Sequence, residues 1–350
     1  MDGAPTWEAR FGLFTVNGFD IARGRPQRAV VAAGGMDPHQ LWAWDRATGE
    51  LRQLTALPNG ILSGAISADG EWVYYLDDPG PTEAGMLVRM PWDGGDIEPV
   101  HPRLPRGPIL TFASHGSTTA FTLLLGGQYE HRITTSDTCL SRLVAADDAE
   151  AWVTSFADEG RTLVTIRSRA DGNRETILYD IESGLETESL SEPGVSLLAA
   201  TPSPVLGDAR FLAETNASGD LRPLLWDRNT DEREPLPVDG LSGDVRPIEW
   251  SPDGSTILLL EVDGTESHLH LLDLRSGERR ALVTPAGRPA ALPQEIASIF
   301  ISSDEILTLW QDGDRPPVIL SIPTDGREAS IAVGVRDVPP PPDDAWRLGR

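Results

Sequence analysis

Residues 250–282 read WSPDGSTILLLEVDGTESHLHLLDLRSGERRAL. A tight Ser-Pro-Asp-Gly corner, where Pro252 presets φ and Gly254 tolerates a positive φ, leads into the short apolar run TILLLEV. A second apolar run, HLHLLDL, enters an acidic turn at Asp273 and leaves it as a polar stretch, GERRALV. Runs this short, rich in aliphatic and β-branched residues and bounded by turn residues, are strands and not helices.

Both turns recur along the chain. The corner returns as ISADGEWVYYL at 66–76 and FADEGRTLVTI at 156–166. The acidic turn returns in LWAWDRATGELRQLT, LVRMPWDGGDIEPV, ETILYDIESGLETES, PLLWDRNTDEREPLP and VILSIPTDGREASI, marked by Asp45, Asp93, Asp180, Asp227 and Asp325. With Asp273 included, successive intervals are 48, 87, 47, 46 and 52 residues. A degenerate copy, EHRITTSDTCLSRLV with Asp137, divides the long interval into 44 and 43.

Seven units of similar length, each with room for four strands, predict an all-β, seven-bladed β-propeller with four antiparallel strands per blade. A lone blade cannot bury both faces, so neighbours must supply the core. Paired β-sandwiches also have short strands and many turns, but they do not repeat one turn at even spacing. The expected domain is a single propeller over 1–335, with blades near 10–55, 60–100, 106–148, 149–190, 194–237, 244–284 and 292–334. A Pro-rich tail at 336–350 follows, extended by four consecutive prolines. Blade seven holds IASIFIS, EILTLW, PVILSI and EASIAVG. The ring is therefore expected to close without a borrowed amino-terminal strand, by apolar packing between blades one and seven.

Charge narrows the partners. The chain of 350 residues carries 29 Lys plus Arg, all of them Arg, against 54 Asp plus Glu, for a net charge of −25. A polyanion is held by cations neutralising its phosphates, so no nucleic acid is expected as a partner. The single Cys139 excludes an internal disulfide and a cysteine zinc cluster, and suits a reducing compartment. The start MDGAPTWEARFGLF has no signal-like apolar run, and no stretch approaches the roughly 20 apolar residues that span a bilayer. A soluble, cytoplasmic chain with no membrane partner is expected.

TWEARF at 6–11, QLWAWDRATGELRQLTALPNG at 40–60, ISADGEWVYYLDD at 66–78 and GMLVRMPWDGGDIEPVHPRLP at 85–105 follow one another in an informative order. This order resembles the amino-terminal propeller of bacterial prolyl oligopeptidase-family serine peptidases, of the acylaminoacyl and dipeptidyl peptidase kind. The resemblance covers roughly 1–335. The WSPDG unit is similar too, although Tol-type periplasmic propellers share it. The resemblance implies a seven-bladed lid whose channel admits short peptides, set over an α/β-hydrolase domain that carries the serine, aspartate and histidine. A nucleophile elbow needs Gly-x-Ser-x-Gly, and no Ser here has Gly two residues before and two after it. Peptidase activity is therefore not expected of this chain alone, and no catalytic residue is assigned.

The remaining residues suggest little chemistry. Among His39, His101, His115, His131, His268 and His270, only the last two are close, on one face of a strand, where neighbouring carboxylates would complete a zinc site. Packing or solvent is the expected role of that pair, and a loop position that of His115 in SHGST. Asp77 with Asp78, Asp147 with Asp148, and Asp343 with Asp344 lack the alternating ligand register of a calcium loop. They read as solvated acids. The double-glycine turns GGMDP, GGQYE and GGDIE lack phosphate-loop spacing. Trp42, Trp44, Trp72, Trp92, Trp152, Trp226 and Trp310 are expected to fill the wedges between blades.

No cofactor and no metal ligand is assigned. The leading expectation is a non-catalytic scaffold or gating subunit with a protein or peptide partner, such as a separately encoded hydrolase. Two alternatives stand beside it: a metal-dependent hydrolase or lyase with its site in the central funnel, and a fragment of a full-length serine peptidase.

Overall fold

The computed structural model describes residues 12–61, 63–78, 80, 85–290, 298–313 and 315–335. The TWEARF stretch, the tail at 336–350 with Asp343 and Asp344, and the first residues of IASIFIS lie outside them.

The quoted repeat folds as four antiparallel strands: Asp244–Trp250, Thr256–Asp263, Glu266–Asp273 and Arg279–Ala281. The Ser-Pro-Asp-Gly corner joins the first two. Asp253 accepts hydrogen bonds from the hydroxyl of Ser251 (2.6 Å) and the amide of Ser255 (3.1 Å), and Gly254 takes φ of +71°. Ser67, Asp69 and Glu71 repeat the arrangement in blade 2. Asp45, Asp93, Asp137, Asp180, Asp227, Asp273 and Asp325 all lie where a third strand turns into a fourth. Several of them accept the amide two residues on, as Asp227 does from Asn229 at 2.9 Å and Asp273 from Arg275 at 3.0 Å.

Seven such sheets form; the first strands of successive blades touch from blade 1 to blade 7, and at the closing seam the first strand of blade 1 meets the second and third strands of blade 7. Second strands are buried on both faces because each blade lies between two others. Arg28–Gly34 and Glu305–Gln311 are buried throughout their middles, and so read in sequence as unbroken apolar runs instead of alternating ones. Among the described residues the buried side chains gather into seven apolar clusters, one at each seam between blades.

The closing seam joins blade 1 to blade 7. Val16, Val31 and Trp44 pack there against Leu307, Leu309 and Ile319. Arg46 reaches Glu305 at 2.8 Å, and the amide of Val16 donates to the carbonyl of Pro317 at 3.1 Å. Thr15 and Val16 themselves pair with Gly34 and Ala33 of blade 1, and among the described residues no amino-terminal strand enters blade 7. Among the described residues apolar packing, one ion pair and one backbone hydrogen bond join the two blades without a borrowed strand.

Blade 7 differs from expectation in one respect. Its inner edge has two pieces, Arg288–Pro289 and Ser298–Ser302, both paired with Glu305–Gln311, so the blade begins before residue 292. Pro289 donates no backbone hydrogen bond, which suits the extreme edge of a sheet.

Candidate functional site

The axis is where seven blades present first-strand side chains without a covering layer. Six of the seven first strands carry a bulge, the regular exception being the three-residue Gly64–Ile66 of blade 2. A bulge inserts one residue and redirects those after it. In blade 6 the inserted residue is Ile248, immediately before Glu249 and Trp250.

At the end of the axis where first strands run into their corners, four blades enclose a cleft of about 280 Å³. Blade 1 contributes Arg23, blade 5 Pro204, blade 6 Glu249, Trp250 and Pro252, and blade 7 residues 299–301. The walls are apolar, with one charged pair at their edge: a guanidinium nitrogen of Arg23 lies 2.7 Å from a carboxylate oxygen of Glu249. This pair links blade 1 to blade 6 across the end of blade 7.

The corner of blade 1 is set by its neighbour. The amide of Gly24 donates to the carbonyl of Ala68 at 2.7 Å, and a Cβ at Gly24 would meet that oxygen at 2.8 Å, so glycine is needed for the approach. Asp20, three residues before Arg23, accepts the amides of Ile21 (2.8 Å) and Ile66 (2.9 Å). Burial pushes the Asp20 carboxyl above its ordinary range, against the pull of those two amides and of Arg23. Glu249, before all else, raises the pKa of Arg23. The Arg23 side chain is 49% exposed, lines the cleft and donates from one guanidinium nitrogen to Glu249.

The rim above is apolar. Val205 and Leu206, in the corner of blade 5, are 42% and 77% exposed. Val205 occupies the space over Gly254, where a Cβ would lie 2.5 Å from its Cγ2. A smaller, polar recess of about 220 Å³ lies beside Asp273 and Arg280 on blade 6 alone.

The residues singled out in the sequence lie elsewhere. His270 bonds Glu261 at 2.9 Å inside blade 6, while His268 faces solvent. Burial lowers the His270 pKa, against the pull of Glu261. Among the described residues no three His, Cys, Asp or Glu side chains are placed to hold a metal. His115, expected in a loop, ends the first strand of blade 3 and packs against Gly160 and Phe156 at the corner of blade 4. Asp147 is no solvated acid. The Thr122 hydroxyl meets His131 Nδ1 at 2.9 Å, His131 Nε2 meets Asp147 at 2.9 Å, and Arg167 and Tyr179 of blade 4 also bond that carboxylate. The order hydroxyl, imidazole, carboxylate is that of a hydrolytic triad, but Thr122 and His131 have no exposed surface. With no route for substrate, the line serves as a fastening between blades 3 and 4.

Cys139 donates to Glu98 at 2.9 Å, and that bond raises its pKa, keeping it a thiol. Of the tryptophans, Trp44, Trp92, Trp226 and Trp310 are buried in the wedges as expected. Trp42 and Trp72 pack against the clusters at their seams, and Trp72 and Trp152 are roofed by Arg89 and Arg174, at 3.8 and 4.9 Å from the ring centres. Trp250 opens the WSPDG motif, but Arg23 and Glu249 carry no local motif that marks them in the sequence.

No family model matches the chain, and no curated protein matches its sequence. Solved structures do match in shape. A prolyl endopeptidase aligns with 96% of this chain at a TM-score of 0.74 and 14% identity, and 52% of that protein is covered. The chain has the seven-bladed propeller fold. It spans about half the length of that endopeptidase. The propeller domain of the trilobed protease from Pyrococcus furiosus, described as having an open velcro topology, aligns over 93% of this chain and 97% of its own at 0.69 and 9% identity. An oligogalacturonate lyase solved with manganese aligns over 87% of each chain at 0.65 and 13% identity. Likeness at these identities establishes the propeller fold. Among the described residues no helix is long and apolar enough to cross a membrane.

Proposed function

We propose that this propeller binds extended polypeptide segments in the axial cleft, as a peptide- or protein-binding scaffold or as the gating partner of a hydrolase. One observation carries the reading: an apolar cleft built by four blades, edged by a half-exposed arginine. Apolar side chains fit against Trp250, Pro204 and residues 299–301, and backbone carbonyls suit a guanidinium such as that of Arg23 at the edge. The likeness to peptidase propellers supports it. A metal-centred reading finds less support at this place, because the guanidinium of Arg23 already stands beside the carboxylates of Asp20 and Glu249.

Burying two apolar side chains at roughly 2 kcal/mol each, with one or two hydrogen bonds, corresponds to dissociation constants on the order of 0.1–1 mM. The test is a titration of the full chain with short capped peptides rich in leucine, isoleucine and proline, read by tryptophan fluorescence. A saturable change that Trp250→Phe removes is expected. Binding that Trp250→Phe and Arg23→Ala leave unaltered, or no binding into the millimolar range, would refute the reading. Co-purification of a hydrolase from native extract would favour the gating form over the scaffold.

A further inference from the structure

Acids collect at the end of the axis where the cleft opens, because several blades place a carboxylate in or beside the corner between first and second strands. Most of these have a local partner. Asp158 of blade 4 lies 2.7 Å from Arg228, Asp208 of blade 5 lies 2.7 Å from Arg210, and Glu305 of blade 7 lies 2.8 Å from Arg46. Asp69 of blade 2 accepts the hydroxyls of Ser67 and Ser136.

Two corner acids differ. Asp253 of blade 6 and Asp304 of blade 7 are exposed, and neither forms an ion pair among the described residues. Both adjoin the cleft: Asp253 follows Pro252, and Asp304 comes three residues after Ile301, and Pro252 and Ile301 line it. Hydrogen bonds from Ser251 and then Ser255 hold the Asp253 carboxyl below its ordinary range, so it is charged at neutral pH. The one arginine among the lining residues, Arg23, is already paired with Glu249. Two carboxylates without a cation therefore flank an apolar cavity. Beyond Asp253 the surface turns apolar again, since Val205 of blade 5 rests over Gly254 and Leu206 beside it is 77% exposed.

We propose that the segment taken up by the cleft is a basic one: an apolar side chain enters the cavity, a lysine or arginine close to it in the same segment stands against Asp253 or Asp304, and a further apolar residue covers Leu206. This inference rests on the peptide-binding reading of the cleft and adds its charge preference. Charge complementarity selects the occupant, because charges beside low-dielectric walls act on a ligand more strongly than the same charges spread over open surface. The preference is local to two corners, which separates it from the general attraction of a chain of net charge −25 for any cation.

Three capped peptides that differ at one position, leucine-proline-X-leucine-proline with X as lysine, glutamine or glutamate, are titrated into the full chain at physiological ionic strength and read by tryptophan fluorescence. The lysine peptide is expected to bind roughly fivefold more tightly than the glutamine peptide, and the glutamate peptide more weakly than either. In 1 M salt, where the screening length is about 3 Å, the three converge. In D253N/D304N, where asparagine keeps an oxygen for the bonds from Ser251 and Ser255, lysine and glutamine peptides bind alike. E232Q/E328Q makes the same change of charge on exposed acids of the blade 5 outer strand and the blade 7 outer turn, and retains the preference. Equal affinity of the parent for lysine and glutamine peptides, or a preference that survives D253N/D304N, would overturn this inference and leave peptide binding by the cleft standing. Failure of all three peptides to bind into the millimolar range would overturn both.

Discussion

Arginine is the only basic side chain apart from histidine in this protein, and its planar group explains several contacts that lysine could not make. Arg89 lies 3.8 Å above the ring of Trp72 while donating to Glu98 and to the carbonyls of Thr135 and Ser136. Arg167 joins Asp147 to Glu175 across the seam of blades 3 and 4. Burial alone would raise the Asp147 carboxyl, yet hydrogen bonds from His131 and Arg167 hold it below the ordinary carboxylate range. Because the folded-state value is depressed, this group stabilises the fold fully above the unfolded value near 4 and loses that contribution as pH falls through the folded one. Asp147→Asn is expected to cost roughly 3 kcal/mol at neutral pH and to flatten the loss of stability on acidification. Urea unfolding of both proteins between pH 7 and pH 3 measures both effects. Equal stability of the two at pH 7 would show that the line of hydrogen bonds does not fasten the blades.

At the level of strands and turns, the sequence is read most easily where a backbone requirement has a single chemical solution. Gly254 and Gly277 both take φ of +71°, but Gly277 has open space around its Cα whereas a Cβ at Gly254 would meet Val205 at 2.5 Å. Gly277→Ala should therefore cost about 1 kcal/mol for the left-handed backbone alone, and Gly254→Ala at least twice that, as read by denaturant midpoints. Equal costs would mean that Val205 does not rest on the corner of blade 6. The turn acids were legible for the same reason: an Asp that caps the amide two residues on leaves a fixed residue at a fixed place, once per blade. Asp147 was misread as solvated because its partners come from the neighbouring blade, and His131 left no signal at all. The divided inner edge of blade 7 was also hidden, since two residues at Arg288–Pro289 make no periodic pattern.

For the molecule as a whole, even spacing of one turn sufficed to predict seven blades, because a ring of equivalent blades must repeat its connections. Closure by packing followed from blade 7 owning its strands, and Val16, Trp44, Leu307 and Ile319 supply that packing. The cleft was not legible. Arg23 and Glu249 are separated by 226 positions in sequence and meet only because closure brings blades 1 and 6 to either side of blade 7. Part of the excess of acid is one turn Asp per blade, while the cleft itself is apolar with a paired charge. Hydrogen–deuterium exchange with and without a saturating leucine- and proline-rich peptide tests the central claim most directly. Protection is expected in the segments around 20–26, 203–206, 249–252 and 299–301, with the outer strands unchanged. Protection confined to the outer strands or to the opposite face, with none at these four segments, would contradict it.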